Sequence, residues 1–299
     1  MPRNLVGLLA LALVAAFTLP ALAGPGGMLG GRMGGGGGKA GGEGGKREVV
    51  QAELPPDVDP EVAGAFFPTR ARLDAMRARG FLPTGLTPVY PEEAQCLPAD
   101  SLFATDKRGD GSPRSPRYFA GYHSGTDIPA PEGTPILAAA AGTVVHASEG
   151  LNIGGLGLIL QHAPADTGLP VWTYTEYKHL RELPADLPVG TRVARGQKIG
   201  EAGVSGTTGG YYGEEGHSHL HFAAYWSEGS EYKAGMLFIP KDGQWMDALA
   251  LYRTPPLDSR SLAALPADAK RTPIPFQRPD GSTVPPGSKV IWPFACAPR

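Results

Sequence analysis

Charge is scarce in this sequence of 299 residues. Only 19% of its side chains are charged, and 27 basic residues nearly balance 29 acidic ones, for a formal charge of −2. That removes any electrostatic case for nucleic-acid binding or for adhesion to an acidic membrane surface. Cysteine is scarcer still: the chain has two, Cys96 and Cys296, and no Cys-x-x-Cys, which excludes a cysteine-rich metal site. After the first 23 residues no apolar stretch is long enough to span a bilayer. No helix-length periodic segments separate the apolar runs of the middle region, which argues against a parallel βαβ sheet. No H-E-x-x-H occurs, so there is no thermolysin-like glutamate base.

Glycine and proline are abundant, at 43 and 31 residues, and both are unevenly placed. Residues 1–23 have the order of a signal peptide. Arg3 lies near the free amine, an apolar run extends from Leu5 to Leu19, and Ala21-Leu22-Ala23 is an A-x-A-like cleavage site. The sequence therefore predicts an exported protein, periplasmic or secreted, cleaved near Ala23 and not inserted in the membrane afterwards. Residues 24–46 hold 14 of the 43 glycines and read as a flexible linker, because such a tract buries too little apolar surface to offset its backbone entropy. Residues 47–117 form an N-terminal flank, in which Thr69–Arg79, ended by Gly80, reads as a short amphipathic helix with Leu73 and Met76 on one face. Residues 228–299 form a Pro-rich flank with ten of the 31 prolines between Pro255 and Pro298. There Gln244–Tyr252 reads as one short helix and the rest as an extended wrap. In an oxidising compartment a Cys96–Cys296 disulfide is expected, tying the first flank to the extreme C-terminus. The chain-entropy model gives ~5 kcal/mol for so long a loop.

The central region, 118–227, reads as β. Ile136–Ala140 leads into Gly142–Ala147, Gly157–His162 alternates, and Val171–Tyr177 is rich in strand formers, with glycine breaks between the runs. All seven histidines lie in this region, and three of them fall in Gly216-His-Ser-His-Leu-His-Phe222. On a strand these three share a face, with neighbours about 6–7 Å apart. That spacing suits one as a metal ligand and the next as a group facing the substrate. In His123-Ser-Gly-Thr-Asp127 a His and a carboxylate are both good zinc ligands, but on a straight strand they would be about 13 Å apart. They share an ion only if the chain turns at Ser124-Gly125. Two ligands here and one from the triplet leave a fourth position for water, the catalytic arrangement.

These motifs resemble those of the lysostaphin-type, or LytM-type, zinc endopeptidases of peptidoglycan. HSGTDIPAPEGTPILAAAAGTVVHA (123–147) resembles that family's H-x-G-x-D opening and the turn and strand after it. Glu176-Tyr-Lys-His-Leu180 is similar to its Y-x-H-L motif, Val189–Gly200 to its glycine hairpin, Gly203-Val-Ser-Gly206 to its G-x-[ST]-G turn, and Ser218-His-Leu-His-Phe222 to its closing H-L-H-F strand. The resemblance implies a mostly β fold, an antiparallel sheet with a groove over it, and loop-rich flanks. It implies one Zn2+ held by His123, Asp127 and His221, with His179 and His219 flanking the zinc-bound water and the scissile carbonyl. His219 is assigned as general base and His179 as stabiliser of the oxyanion, two roles that can be exchanged. Tyr177, Tyr211, Tyr212 and the extra His217 are candidate groove residues. His146 and His162 match no chemical position and read as structural.

The chain departs from the compact pattern at Ala163–Val171 and Thr207–Gly216, loops that in the family wall the groove. The resulting expectation is a monomeric zinc endopeptidase acting on peptidoglycan peptides. The alternatives are a non-catalytic wall-binding or amidase-activating module of the same fold, and a zinc peptidase of Gly-rich proteins. For the last, Gly34–Gly38 would be a site of self-processing.

Overall fold

The computed structural model describes residues 58–149, 154–209, 212–235 and 237–299. The expected signal peptide, the Gly-rich tract with Gly34–Gly38, and Tyr211 lie outside the described residues.

Two short helices come first. Helix α1, Pro60–Phe66, starts at a proline and is capped by Asp59, whose side chain accepts from the Glu61 N–H. Helix α2 is Leu73–Ala78, four residues shorter at its start than the sequence pattern predicts. Arg72 is extended instead, its N–H donating to the Gly64 carbonyl at 2.8 Å, so the expected first turn is used to fold α2 back onto α1.

The strands are β1 Thr126–Pro129, β2 Pro135–Leu137, β3 Gly142–Glu149, β4 Leu156–His162 and β5 Trp172–Lys178. They continue as β6 Arg192–Val193, β7 Lys198–Glu201, β8 His219–Ser227 and β9 Gln244–Met246. Seven of them make one antiparallel sheet in the order β9-β8-β5-β4-β3-β6, with β1 on the same edge of β8 as β9. Strand β8 is the spine: β5 runs along most of its length, while β1 takes His219–Phe222 and β9 takes Ala224–Trp226 on the other side.

Both faces of the sheet are covered, which is why the runs in β4 and β8 are almost continuously apolar. One face packs Leu158, Leu160, Tyr177, Leu220 and Phe222 against Ile136, Trp292 and Phe294. The other packs Val145, Ile159, Tyr174 and Tyr225 against Phe66, Met76, Phe81, Phe103 and Trp245. Trp245 anchors this second layer. It stacks on Phe66 at 5.3 Å, meets the edge of Phe119 at 5.6 Å, and donates its indole N–H to the Ala65 carbonyl. Burying an indole of ~200 Å² contributes roughly 5 kcal/mol before conformational entropy is counted.

Two expectations for local structure are corrected. Val189–Gly200 is not a hairpin: β6 pairs with β3, and β7 pairs with β2. The turn between them is drawn onto β2's exit, where the Gly196 N–H donates to the Ala138 carbonyl at 2.9 Å. Gln244–Tyr252 is not one helix. It begins as β9 on the free edge of β8, and Asp247 then caps a 3-10 turn, Ala248–Tyr252. The C-terminal segment does run extended: Ile291 N–H bonds to Ala139, Leu137 N–H to Pro293, and Ala297–Pro298 pairs with Ala94–Gln95. Cys96 and Cys296, 200 positions apart, are joined in a disulfide beside that pairing. Among the described residues no helix is long and apolar enough to cross a membrane.

Candidate metal centre

Strand pairing places the first two candidate ligands. His221 on β8 stands directly opposite Asp127 on β1, and its other neighbour in the sheet is Lys178 on β5. His123 precedes β1, and the turn at Ser124-Gly125 brings it back over Asp127. Gly125 is required there by close approach: a Cβ would lie 2.7 Å from the Phe222 carbonyl and 2.9 Å from His221 Nε2.

The three donor atoms converge. His123 Nε2 lies 2.9 Å from Asp127 Oδ1 and 3.1 Å from His221 Nδ1, and His221 Nδ1 lies 3.0 Å from Asp127 Oδ1. All three residues are buried. The opposite nitrogen of each histidine is engaged as a donor, His123 Nδ1 on the Leu102 carbonyl at 3.2 Å and His221 Nε2 on the Ser124 hydroxyl at 3.3 Å. Those bonds turn lone pairs toward one another and toward a carboxylate oxygen, an arrangement that a cation satisfies. A tetrahedral ion with bonds of about 2.0–2.1 Å separates its ligand atoms by about 3.3 Å, so this set fits one with a small expansion. His123, Asp127 and His221 thus form a site able to bind a metal.

His219 and His179 stand beside it. His219 Nε2 is 3.5 Å from Asp127 Oδ1, and its Nδ1–H donates to the His217 carbonyl at 2.8 Å. The rings of His179 and His219 are 4.5 Å apart, and those of His179 and His221 5.9 Å. His179 reaches this position through its backbone. Tyr177 faces the core and Lys178 the groove, so a continued strand would send His179 back to the core face. Its φ of +65° breaks that alternation and swings the ring into the groove, where Nδ1–H donates to the Ser205 carbonyl at 2.7 Å. Histidine tolerates this left-handed conformation at a cost of about 1–3 kcal/mol.

Burial governs the protonation states. It pulls His123 down to about 4, against the opposing pull of Asp127. Burial alone would raise Asp127, but the adjoining imidazoles of His123, His221 and His219 outweigh it and hold the carboxyl well below the usual range. His179 is held well below the ordinary histidine value by burial and then by its neighbours His219 and His221, so it is neutral near pH 7.

The groove over these residues has a volume of about 700 Å³ and is walled by Tyr118, Phe119, Tyr122 and Tyr212, with Arg108, Arg117 and Lys178 at its sides. Tyr212 therefore lies where the sequence predicts. His217 is exposed; its ring stacks on Tyr212 at 5.7 Å, and its carbonyl orients His219. Tyr177 is a correction: it is fully buried on the opposite face, packed against Phe222, with its hydroxyl accepting from the Ala139 N–H. The loop Ala163–Val171 does not wall the groove either, since it joins β4 to the start of β5 and the site lies at β5's other end. His162 is buried between the Ala141 carbonyl and Thr175, a structural residue as expected. Sequence reading missed Arg114, Ser101 and Leu102, which belong to no motif and reach the site only through folding.

Residues 121–233 match Peptidase family M23. Among solved structures, the chain is similar to the catalytic domain of the antimicrobial peptidase lysostaphin from Staphylococcus simulans, at 29% identity over 37% of this chain and 72% of that one, with a TM-score of 0.29. It is similar to LytU, at 26% identity over 44% of this chain and 77% of that one, with a TM-score of 0.32. It is also similar to a zinc-containing peptidase from Vibrio cholerae, at 24% identity over 56% of this chain and 39% of that one, with a TM-score of 0.35. No curated protein matches the chain. The match over 121–233 agrees with the resemblance to lysostaphin- and LytM-type peptidases read from the motifs.

Proposed function

We propose that this chain is an exported zinc endopeptidase that hydrolyses peptide bonds of bacterial peptidoglycan, in stem peptides or cross-links. The observation that carries the reading is the convergence of His123 Nε2, Asp127 Oδ1 and His221 Nδ1 within 3.1 Å of one another at the floor of an open groove. Two imidazoles and one carboxylate, with water completing the set, suit a single catalytic Zn2+. When bound, the ion supplies Lewis-acid catalysis and lowers the pKa of water to near neutrality.

The chain's own residues supply the proton transfers. His179 is neutral and engages its Nδ1–H on Ser205, so Nε2 presents a lone pair to the groove. In that state it accepts a proton and has none to give, which suits a general base better than an oxyanion donor. We therefore exchange the two roles assigned from sequence: His179 takes the proton from the attacking water and later passes it to the leaving amine. His219, with its Nδ1–H on the His217 carbonyl and its Nε2 3.5 Å from Asp127 Oδ1, faces the position of the tetrahedral oxyanion and takes the role of stabilising it. The open walls admit an extended peptide.

The test is metal content and peptide release by the mature chain, residues 24–299, beside His221→Ala. Fragments released from purified peptidoglycan are identified by mass. About one zinc and released fragments in wild type, with neither in the variant, support the reading, and the masses name the bond. Zinc without release points to the wall-binding alternative. Release from Gly-rich protein but not from peptidoglycan points to the other. Absence of zinc overturns the site.

A further inference from the structure

We infer that the N-terminal flank is part of the metal centre, and that Arg114 is a positioning residue for the ligand Asp127. This rests on the metal-site reading above. The region matching Peptidase family M23 begins at residue 121. The partners that hold two of the three ligands lie before it.

Asp127 uses its two oxygens differently. Oδ1 faces His123 and His221, while Oδ2 accepts from Arg114 Nη2 at 3.2 Å. The same Nη2 donates to the Ser101 hydroxyl at 2.6 Å, and that hydroxyl lies 3.3 Å from His123 Nδ1. The flank's backbone joins the arrangement as well. The Asp127 N–H donates to the Ser101 carbonyl at 2.8 Å, the Asp100 N–H to the Asp127 carbonyl at 3.1 Å, and the Leu102 carbonyl receives His123 Nδ1–H. Residues 100–102 thus act as one more edge partner of β1, on the side away from β8. Arg114 is itself held, its Nε donating to the Lys107 carbonyl at 3.2 Å. The Arg114 and Asp127 side chains keep only 14% and 10% of their exposure, so solvent screens the pair little.

Two effects of Arg114 oppose one another. Its charge repels a dication, which would weaken metal binding. Its hydrogen bond fixes the carboxylate so that Oδ1 alone is presented beside the two imidazoles, which strengthens binding. Without Arg114, Oδ2 is a buried, unpartnered acceptor and the carboxylate is free to rotate. Outer-sphere partners of this kind are typically worth 10–100-fold in metal affinity, so positioning outweighs repulsion. The consequence concerns the whole flank: it completes the site and is not a removable cover.

The experiment is zinc affinity by chelator competition on the mature chain, with Arg114→Ala and Arg114→Lys, and with the melting temperature of each metal-free protein. The cobalt-loaded proteins are compared by visible absorption. The expected result is a Kd raised about 10–100-fold in Arg114→Ala and partly restored in Arg114→Lys. The visible bands of four-coordinate cobalt should weaken in Arg114→Ala as Asp127 becomes free to offer both oxygens. If Arg114→Ala does not fold, Arg114→Met, which keeps the side chain's length without an N–H donor, is read against the same expectation of weakened binding. Unchanged or tighter binding in a folded variant, with unchanged cobalt bands, overturns the inference while leaving the metal site intact. Failure of the wild type to bind zinc overturns the metal-site reading instead.

Discussion

Asp127 and His221 face each other across two antiparallel strands, with Oδ1 and Nδ1 3.0 Å apart although the residues are 94 positions apart in the chain. Because the partners are register neighbours, the sheet itself holds the donor atoms together before any ion arrives. Such preorganisation lowers the entropy cost of binding.

Asp127→Asn tests the charge of that pair with little change of shape. Zinc affinity should fall by at least ~100-fold, since a ligand counts for no less than its outer-sphere partners. Equilibrium dialysis with metal analysis checks this, and an unchanged affinity would mean that Asp127 is not a ligand.

The roles of His179 and His219 separate by pH. A general base must be unprotonated, and His179's pKa is depressed below the ordinary value near 6.5, so the acidic limb of kcat/KM should lie below that pH. His179→Ala should reduce kcat by ~10²–10⁴ and abolish that limb. His219→Ala should reduce the rate while keeping it. The reverse pattern would restore the assignment made from sequence.

His162 offers a test of stability away from the metal. Burial pulls its imidazole down to about 4. Above pH 6.5 neither the folded nor the unfolded state is protonated, and the residue contributes no pH dependence. As pH falls from 6.5 to 4 the unfolded chain takes up a proton that the folded chain refuses. Stability should therefore drop by about 3 kcal/mol across that window from this residue alone. His162→Gln should flatten the dependence by that amount in denaturant titrations at pH 7 and pH 4. An imidazole titrating near 6.5 by NMR would contradict the assignment.

Opening the Cys96–Cys296 bridge with paired serine substitutions should cost up to ~5 kcal/mol. The amide hydrogens of the C-terminal segment, the Arg299 N–H on the Glu93 carbonyl among them, should then exchange faster than in the bridged protein. Equal protection in both proteins would show that pairing alone holds the tail.

Trp245→Ala removes the centre of the second core layer and should cost about 3–5 kcal/mol. Since Phe119 rests on that indole, the groove wall should loosen, and KM for a peptide substrate should rise more than kcat falls. An unaltered KM would separate the wall from the core beneath it.

The sequence by itself determined the mostly β class, the candidate ligand set, the two flanking histidines, the cysteine pairing and the extended C-terminal wrap. The class, the cysteine pairing and the wrap follow from residue type and local spacing, with glycine breaks between strand formers and two cysteines behind a signal-like N-terminus; the ligand set and the flanking histidines follow from the resemblance of short motifs to a known family. Tertiary structure decided the rest. Tyr177 went to the core because β5 alternates faces and its register with β8 puts Lys178, not Tyr177, beside His221. His179 entered the groove through a left-handed φ that no spacing rule encodes. The Val189–Gly200 arms parted because each found a better edge elsewhere. Arg114 had no motif to announce it, because its partner Asp127 is chosen by where the flank crosses β1. Contacts of that kind depend on which strand edges are left free once the sheet has formed.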